Sequence, residues 1–251
     1  MIDINYRGRL GNNMFMYAYA RLIHEKTGLM FQSKHVNTSN EPIYLHKFFK
    51  NADLCLDGLN FTNRIIVNDS NSNIENVVDF VKRNNVGILC DGFYQNSNYY
   101  EPIRNKLKTW FHIDNYLTPN KDDIVIHIRR GDYADCKYSN LHLNYYTDIL
   151  DGTTFNKLYI VTTDVTDDMK IFNKYSPKFV CMDTIDDFRF LKSFNRIIMA
   201  NSTFSWWAAF LSTASEIYFP YPKHPKAMFN KNMGVSLECS FFKTILDVDT
   251  Y

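Results

Sequence analysis

The chain lacks the segments that mark membrane-spanning and secreted proteins. None of its 251 residues belong to an uninterrupted apolar run of about 18 residues, the length that a membrane-crossing helix requires. The opening residues Met1–Asn5 are not a basic segment followed by an apolar one, as a secretory signal would be. We therefore expect a soluble cytoplasmic protein.

Cysteines are few and scattered along the chain. Their positions are Cys55, Cys90, Cys136, Cys181 and Cys239. The number is odd and no two cysteines form a C-x-x-C pair, so the pattern gives neither a disulfide framework nor a zinc site. We expect a reducing compartment and no zinc site.

Neither sign of charge is in excess. The chain has 28 Lys and Arg against 27 Asp and Glu, a formal net charge of +1. Without an overall basic field, a nucleic-acid partner is not expected, whereas a peripheral contact with a membrane stays open. Any anion-binding site has to be local.

Apolar strand-like segments alternate with helix-like segments in the second half of the chain. Strands are predicted at 124–128, 158–162, 179–182, 196–199 and 216–219, with helices between them. The first half begins in the same way, with a strand at 2–6, a glycine turn and a helix at 12–27. This alternation favours an α/β fold with a parallel sheet covered on both faces.

A polar stretch at 114–123 is the best candidate for a linker between two domains. We therefore expect an N-terminal α/β domain over 1–118, a C-terminal domain over 119–235 and a tail over 236–251. The tail contains Asp247-Val248-Asp249, a D-x-D pattern that can hold a divalent cation. Terminal segments are usually solvated, and we expect that here.

The most informative motif is His127-Ile128-Arg129-Arg130-Gly131-Asp132-Tyr133, which directly follows the apolar run Ile124-Val125-Ile126. It places two guanidinium groups at the carboxyl end of a predicted buried strand, where open α/β sheets bind their ligands. An unpaired buried charge is costly, so the two arginines imply an anionic partner. Phosphate is the leading candidate because arginine offers it two parallel hydrogen bonds and keeps its charge.

Two further predicted strands end in polar groups, Thr162-Thr163-Asp164 and Asn201-Ser202-Thr203-Phe204-Ser205. In a parallel sheet these ends and the double-arginine motif are expected to share one crevice. The second segment precedes an apolar helix at 206–211. Its hydroxyls and free backbone N–H groups therefore lie at a helix amino terminus, which is an anion site.

Each of these residues also has a structural alternative. The arginines could form a salt bridge with Asp132 or another carboxylate. His127 lies on the same strand face as the first arginine and could bind a nucleobase or be a core histidine. Asp164 could accept hydrogen bonds from a base or hold a turn, and Ser202 or Thr203 could serve only as the cap of the helix.

Near the start of the chain, Gly8 and Gly11 follow the first predicted strand as half of a dinucleotide-binding fingerprint. The third glycine is missing at the required spacing, and no clear acidic residue ends a following strand. A nicotinamide-dependent enzyme is therefore not expected.

Four segments together resemble the alpha-1,2-fucosyltransferases of glycosyltransferase family 11. Gly8–Ala18 is similar to the family's opening G-G-L-G-N-Q-M-F-Q-Y-A, and His127–Tyr133 matches its H-x-R-R-G-D-Y. Gly92–Gln95, with Tyr99, is similar to its central G-Y-x-Q segment, and Ala200–Ala208 matches its A-N-S-T-F-S-W-W-x. The segments occur in the family's order and span nearly the whole chain.

The chain departs from the family pattern at several positions. Arg9 replaces the second family glycine, which makes this segment closer to the G-R-x-G-N-Q of protein O-fucosyltransferases. Asn13 and Met16 stand where the family usually has glutamines. Phe194 and Arg196 occupy the usual C-x-H positions, and these departures bear on acceptor preference.

The resemblance implies a GT-B-like pair of Rossmann-type domains facing a cleft, with GDP-L-fucose as donor and no metal or other cofactor. Arg129, on the β-phosphate, and Asn12 are the implied catalytic residues. The implied donor site comprises His127, Arg130, Asp164, Asn201, Ser202, Thr203, Phe204, Ser205, Gly11 and Asn13. Tyr94, Gln95 and Asp132 are implied on the acceptor side, and Asp132 is either a base or a partner of the second arginine.

The expected reaction is inverting transfer of L-fucose to a glycan hydroxyl, with O2 of a terminal β-galactose as first choice. A related transferase with another linkage, another GDP-deoxysugar or a peptide acceptor is the enzymatic alternative. A sugar-nucleotide-binding or glycan-binding protein without turnover is the alternative from another class.

Overall fold

The computed structural model describes residues 1–32, 45–52, 63–130 and 139–251. These residues form two compact units, Met1–His112 and Ile113–Tyr251, whereas the sequence led us to expect a boundary after residue 118. Each unit has its own sheet of parallel strands, with helices between the strands. The mixed α/β class expected from the alternating pattern is therefore confirmed.

The first unit contains a four-stranded parallel sheet. Its strands are β1 (Ile2–Ile4), β2 (Phe31–Gln32), β3 (Arg64–Val67) and β4 (Gly87–Cys90), and its described helices are α1 (Leu10–Thr27), α2 (Leu45–Phe48), α3 (Ile74–Asn84), α4 (Ser97–Tyr100) and α5 (Arg104–Trp110), with short 3-10 turns at Lys50–Ala52, Asp69–Asn71 and Glu101–Ile103. The strand order is β2–β1–β4–β3. Ile4 and Cys90, the last residues of β1 and β4, pair with each other, so the carboxyl ends of these two strands are adjacent.

Helix α1 is buried on almost every side, as its nearly continuous apolar and aromatic sequence requires. It ends at Gly28, which adopts a φ of +72° and donates its N–H to the carbonyl of His24 at 2.7 Å. The ring of Tyr19 stacks on that of Tyr94 at 3.8 Å and ties the helix to the rest of the unit. In the part of the chain that the structure describes, no helix combines the length and the apolarity needed to cross a membrane.

The second unit contains a six-stranded parallel sheet. Its strands are β5 (Ile124–His127), β6 (Leu158–Val161), β7 (Lys178–Val180), β8 (Arg196–Ile198), β9 (Glu216–Pro222) and β10 (Lys243–Val248), and its described helices are α6 (Asn144–Asp151), α7 (Thr184–Lys192) and α8 (Thr203–Leu211), with 3-10 helices at Asp167–Tyr175 and Lys231–Met233. The strand order is β10–β9–β8–β5–β6–β7. This is the order of a Rossmann-type sheet, in which the winding direction reverses between β5 and β8.

Strand β5 lies in the centre of the sheet and is buried on both faces. Ile124 and Ile126 are fully buried and belong to one cluster with Tyr146 of α6 and Ile160 of β6. Burial of such a side chain stabilises the fold by about 1.5–3 kcal/mol. A strand covered on both faces needs a continuous apolar run, and that is why these residues form the central strand.

Residues 243–248 do not belong to the solvated tail that the sequence predicted over 236–251. They form the edge strand β10, in which Ile245 pairs with Pro220 of β9. Val248 is buried in the same cluster as β5, and Ile245 packs against that cluster. These apolar residues, placed between the charges of the segment, supply the burial that orders it.

Candidate functional site

The carboxyl ends of β8, β5 and β6 lie next to one another in the centre of the second-unit sheet. Ile126 of β5 pairs with Ile198 of β8, and His127 pairs with Val161 of β6. The segments that follow these three strands therefore leave the same edge, as expected from the sequence. This edge is also where the winding reverses, the position at which open α/β sheets bind ligands.

His127 occupies a buried position at this edge and is 5% exposed. Its ring lies 5.4 Å from that of Phe204 in α8, and its carbonyl accepts a hydrogen bond from the Tyr146 hydroxyl at 3.0 Å. Burial, together with the charge of Arg129, lowers the pKa of His127 to about 3, so the imidazole is neutral. Its Nδ1 is buried without a hydrogen-bond partner among the described residues, unlike a fully satisfied core histidine.

The two arginines of the motif follow the end of β5 and have different surroundings. The charge of half-buried Arg129 acts on the imidazole of His127, whereas that of Arg130 acts on Tyr146, a core residue in one cluster with Ile128. Nη2 of Arg130 lies 2.8 Å from Oδ2 of Asp168, and the arginine side chain is only 13% exposed. The salt-bridge alternative thus applies to Arg130.

The carboxylate partner of Arg130 in the described part of the chain is Asp168, a residue that the sequence did not suggest. Asp132, the partner and base proposed from the motif, lies outside the described residues.

Helix α8 begins at the same edge of the sheet, directly after the segment that follows β8. Ser202 is its N-cap, in extended conformation, and the serine side chain accepts the backbone N–H of Phe204 at 3.3 Å. Thr203, the first residue of the helix, is buried. The capping role left open by the sequence is therefore present for Ser202, and the amino terminus of the nine-residue helix points towards the carboxyl edge of the sheet.

Asn201 and Ser205 hold the segment that leads into α8. The amide of Asn201 donates to the carbonyl of Ser139 at 3.2 Å and accepts the N–H of Phe229 at 2.9 Å. The hydroxyl of Ser205 is fully buried and donates to the carbonyl of Ala200 at 3.2 Å. These two residues, expected to bind the donor, thus shape the start of the helix from within the protein.

Asp164 lies exposed beyond the end of β6. Its backbone N–H donates to Oγ1 of Thr162 at 3.4 Å, and its carboxylate accepts the Thr163 hydroxyl at 3.2 Å. The turn role left open by the sequence is present. The carboxylate nevertheless faces solvent at the same sheet edge as His127.

In the first unit, the turn between β1 and α1 brings Asn12 and Gln95 together. Nε2 of Gln95 donates to Oδ1 of Asn12 at 3.1 Å. Gly8 has a φ of +75°, and a Cβ at this position would lie 2.4 Å from Nδ2 of Asn12, so only glycine fits. Gly11 is buried in the first turn of the helix.

Asn13, expected at the donor, is 1% exposed and holds the same turn from inside. Its Nδ2 donates to the carbonyls of Gly8 and Arg9, at 3.1 and 2.8 Å. Its Oδ1 is buried and accepts no hydrogen bond from the described residues.

Tyr94, which the resemblance implied on the acceptor side, is a core residue. Its side chain is 1% exposed, stacks on Tyr19 and donates its hydroxyl to the carbonyl of Val67 at 2.6 Å. A φ of +53° at Tyr94 turns the side chain into the protein. Gln95, the next residue, is half-buried and stays at the edge of the unit.

The structure adds a polar group that sequence reasoning missed at the ends of β1 and β4. Asp91 accepts a hydrogen bond from Nδ2 of Asn5 at 2.9 Å and lies 3.2 Å from Nη2 of Arg7. The guanidinium of Arg7 also lies 5.2 Å from the ring centre of Phe93. A polar residue directly after the buried strand end at Cys90 is the signal that could have found Asp91.

The sequence model of Glycosyl transferase family 11 matches residues 1–239, which include both strand-end sites. A comparison with curated proteins found none that matches the chain. The chain belongs to glycosyltransferase family 11, and this membership indicates a fucosyltransferase.

Proposed function

We propose that the protein transfers L-fucose from GDP-L-fucose to a hydroxyl of a glycan, with O2 of a terminal β-galactose as the first candidate. The observation that carries the proposal is the meeting of His127, Arg129 and the start of α8 where the second-unit sheet reverses its winding. Family membership supports fucosyl transfer. The edge brings together groups that suit a nucleoside diphosphate, namely an arginine, a helix amino terminus and the neutral imidazole of His127 beside the ring of Phe204.

In this proposal the second unit binds the donor. Arg129 and the amino terminus of α8 hold the diphosphate, because a guanidinium and the positive end of a helix dipole both attract phosphate oxygens. Guanine lies between His127 and Asp164. The buried neutral imidazole offers one ring nitrogen as donor and the other as acceptor, and the exposed carboxylate accepts from base N–H groups.

The chemical step needs stabilisation of the charge that grows on the departing diphosphate. Fixed donors in a partly dry site supply this without having to reorganise during the reaction. Arg129 and the amino terminus of α8 would take this role, so the proposed reaction needs no metal ion. The anomeric carbon is inverted because the acceptor hydroxyl attacks from the face opposite the leaving group.

The first unit completes the proposed enzyme. In a GT-B-like arrangement, Gly11 and Asn12 would approach the donor from the opposite unit, and Gln95 would lie on the acceptor side. The contact between Gln95 and Asn12 supports this, since it couples the two proposed roles through one hydrogen bond. A base for the acceptor hydroxyl is left unassigned, with Asp132 as the candidate from the motif.

Acceptor-dependent release of GDP tests the proposal. The protein is incubated with GDP-L-fucose in EDTA, with and without lactose or N-acetyllactosamine, and the product linkage is determined by NMR. Release that requires the acceptor and gives an α-1,2 product in EDTA is the expected result. Transfer with another GDP-deoxysugar or to a peptide would favour the related transferase, and GDP binding without any transfer would favour a binding protein.

Substitution of Arg129 links the activity to the site. Loss of one preorganised donor to a developing charge typically lowers turnover by about 100-fold to 1,000-fold, which we expect for Arg129→Ala. Arg83→Ala is the matched control, because Arg83 is a strongly exposed arginine of α3 in a loose pair with Asp79 at 3.7 Å. Near-normal turnover of Arg129→Ala would contradict the assignment.

A further inference from the structure

Residues 240–251 lie beyond the region that matches the family, yet they reach the central motif of the second unit. After β10, the chain runs beside the segment that precedes α6. The N–H of His142 donates to the carbonyl of Asp249 at 2.9 Å, and Leu141 and Thr250 form an antiparallel bridge. The N–H of Tyr251 donates to the carbonyl of Asn140 at 3.2 Å. The backbone is thus fixed up to Tyr251.

The side chain of Tyr251 covers the guanidinium of Arg130. Cζ of Arg130 lies 5.0 Å from the ring centre of Tyr251, within the range of a cation–π contact. The Tyr251 hydroxyl donates to Oδ2 of Asp168 at 3.2 Å, the same oxygen that lies 2.8 Å from Nη2 of Arg130. The ring centre of Tyr251 also lies 5.0 Å from that of His142. Arg130 is therefore held by a carboxylate and an aromatic ring that are bound to each other.

Asp168 is ionised in this arrangement. Partial burial opposes its ionisation, but hydrogen bonds from Thr166 and Tyr251 and the charge of Arg130 together hold the pKa of Asp168 below its ordinary value. The charge of Arg130 is therefore compensated by Asp168. This separates Arg130 from Arg129, whose charge acts on the imidazole of His127.

We propose that Tyr251, together with Asp168, fixes Arg130 as a positioning residue, which sets the end of β5 so that Arg129 meets the diphosphate of the donor. This inference rests on the proposed function. The two arginines are adjacent, so a rotation of the backbone that releases one displaces the other. A strand end held by Arg130 leaves the adjacent Arg129 little freedom, and a segment outside the family match thereby tunes donor affinity.

Two substitutions of Tyr251 separate the ring from the hydroxyl. Tyr251→Ala removes both, and we expect the KM for GDP-L-fucose to rise by about fivefold to tenfold, with the KM for the acceptor unchanged. Tyr251→Phe keeps the ring over Arg130, and we expect a KM for the donor within about twofold of the wild type. Calorimetry should rank the affinities for GDP in the same way, with Tyr251→Ala weaker than the wild type and Tyr251→Phe close to it.

Tyr116→Ala is the matched control. Tyr116 is exposed to a similar degree as Tyr251, 43% against 44%, and its ring lies 5.6 Å from the guanidinium of Arg189. Arg189 in turn pairs with Asp186 at 2.8 Å, so these residues share the arginine–carboxylate pair and the arginine–ring contact of the proposed device, away from the β5 end. We expect Tyr116→Ala to lower the melting temperature as Tyr251→Ala does and to leave the donor KM unchanged.

A donor KM that stays at the wild-type value in Tyr251→Ala overturns the inference. So does a rise in both KM values with a larger fall in melting temperature than in Tyr116→Ala, because that is the signature of a purely structural role. In the Arg130→Ala background, Tyr251→Ala should have no further effect on donor KM, and an additive effect would contradict action through Arg130.

The measurements also separate this inference from the proposed function. If the wild type binds GDP and Tyr251→Ala binds it equally well, only the inference fails. If the wild type binds no GDP and transfers no fucose, the proposed function fails and the inference fails with it.

Discussion

Replacement of His127 by asparagine should remove a pH-dependent loss of stability from the second unit. In the folded protein the imidazole is almost fully buried, and Nδ1 has no hydrogen-bond partner in the described part of the chain. Burial, and after it the charge of Arg129, lowers the pKa of His127 to about 3. In the unfolded chain the pKa of a histidine is about 6.5.

The sign of the effect follows from these two pKa values. Below about pH 6.5 the unfolded state takes up a proton on His127, while the folded state does not until the pH approaches about 3. The contribution of His127 to the free energy of unfolding is therefore fully present above about pH 6.5 and is lost progressively as the pH falls from there towards 3. At pH 5 the loss relative to pH 8 amounts to about 2 kcal/mol for this one group.

Urea unfolding at pH 8 and at pH 5, followed by tryptophan fluorescence, measures this loss. Trp206 and Trp207 belong to α8 and report the second unit. The fall in unfolding free energy between the two pH values should be about 2 kcal/mol smaller in His127→Asn than in the wild type. His112→Asn, at an exposed histidine, is the control and should keep the wild-type difference.

Other titrating groups are shared by the wild type and the variant and cancel in the comparison. Burial raises the pKa of Asp187 to about 6, for example, so its contribution to stability is lost in the opposite direction, as the pH rises. An equal pH dependence in His127→Asn and the wild type would refute the reasoning. It would mean that the imidazole of the folded protein is charged or exposed.

Two further predictions concern the turn of the first unit and the anchoring of α8. Gly8→Ala should lower the free energy of unfolding by about 1–2 kcal/mol through backbone strain and, by displacing Asn12, lower the transfer rate by about 100-fold. Gly28→Ala, at a similar φ of +72° but with open space around it, should lose only stability. Equal transfer rates in the two variants would contradict this. Trp206→Phe breaks the 2.7 Å bond from Nε1 to the carbonyl of Leu237 and should cost about 1–3 kcal/mol in urea unfolding. An unchanged midpoint would show that this bond does not anchor the residues after β9 to the helix.

The second-unit sheet could be predicted from sequence because its strands are short apolar runs that end abruptly in polar residues. Ile124-Val125-Ile126 is such a run, and two-sided burial explains both its composition and its central place. The edge shared by His127 and the start of α8 then followed from the rule that parallel strands point the same way. Strand β10 was missed because charged residues interrupt its apolar residues. Only its pairing with β9 and its packing on the core identify it as a strand.

The partners of individual side chains could not be predicted in this way. Asp168 lies 38 residues from Arg130 along the chain, and Tyr251 lies 83 residues from Asp168, so no local spacing connects them. Tyr94 shows a different limit. It belongs to the segment that resembles the central motif of the family, but the residue has a positive φ and its ring stacks on Tyr19 in the core, and neither is visible in sequence.

Calorimetric titration of GDP and of guanosine into the wild type and Arg129→Ala tests most directly whether the β5–α8 edge is a diphosphate site. The account predicts that GDP binds the wild type and binds Arg129→Ala at least about tenfold more weakly, since hydrogen bonds to charged groups contribute about 1.5–3 kcal/mol. Guanosine, which lacks the phosphates, should bind both proteins alike. Equal affinity of the two proteins for GDP would contradict the account.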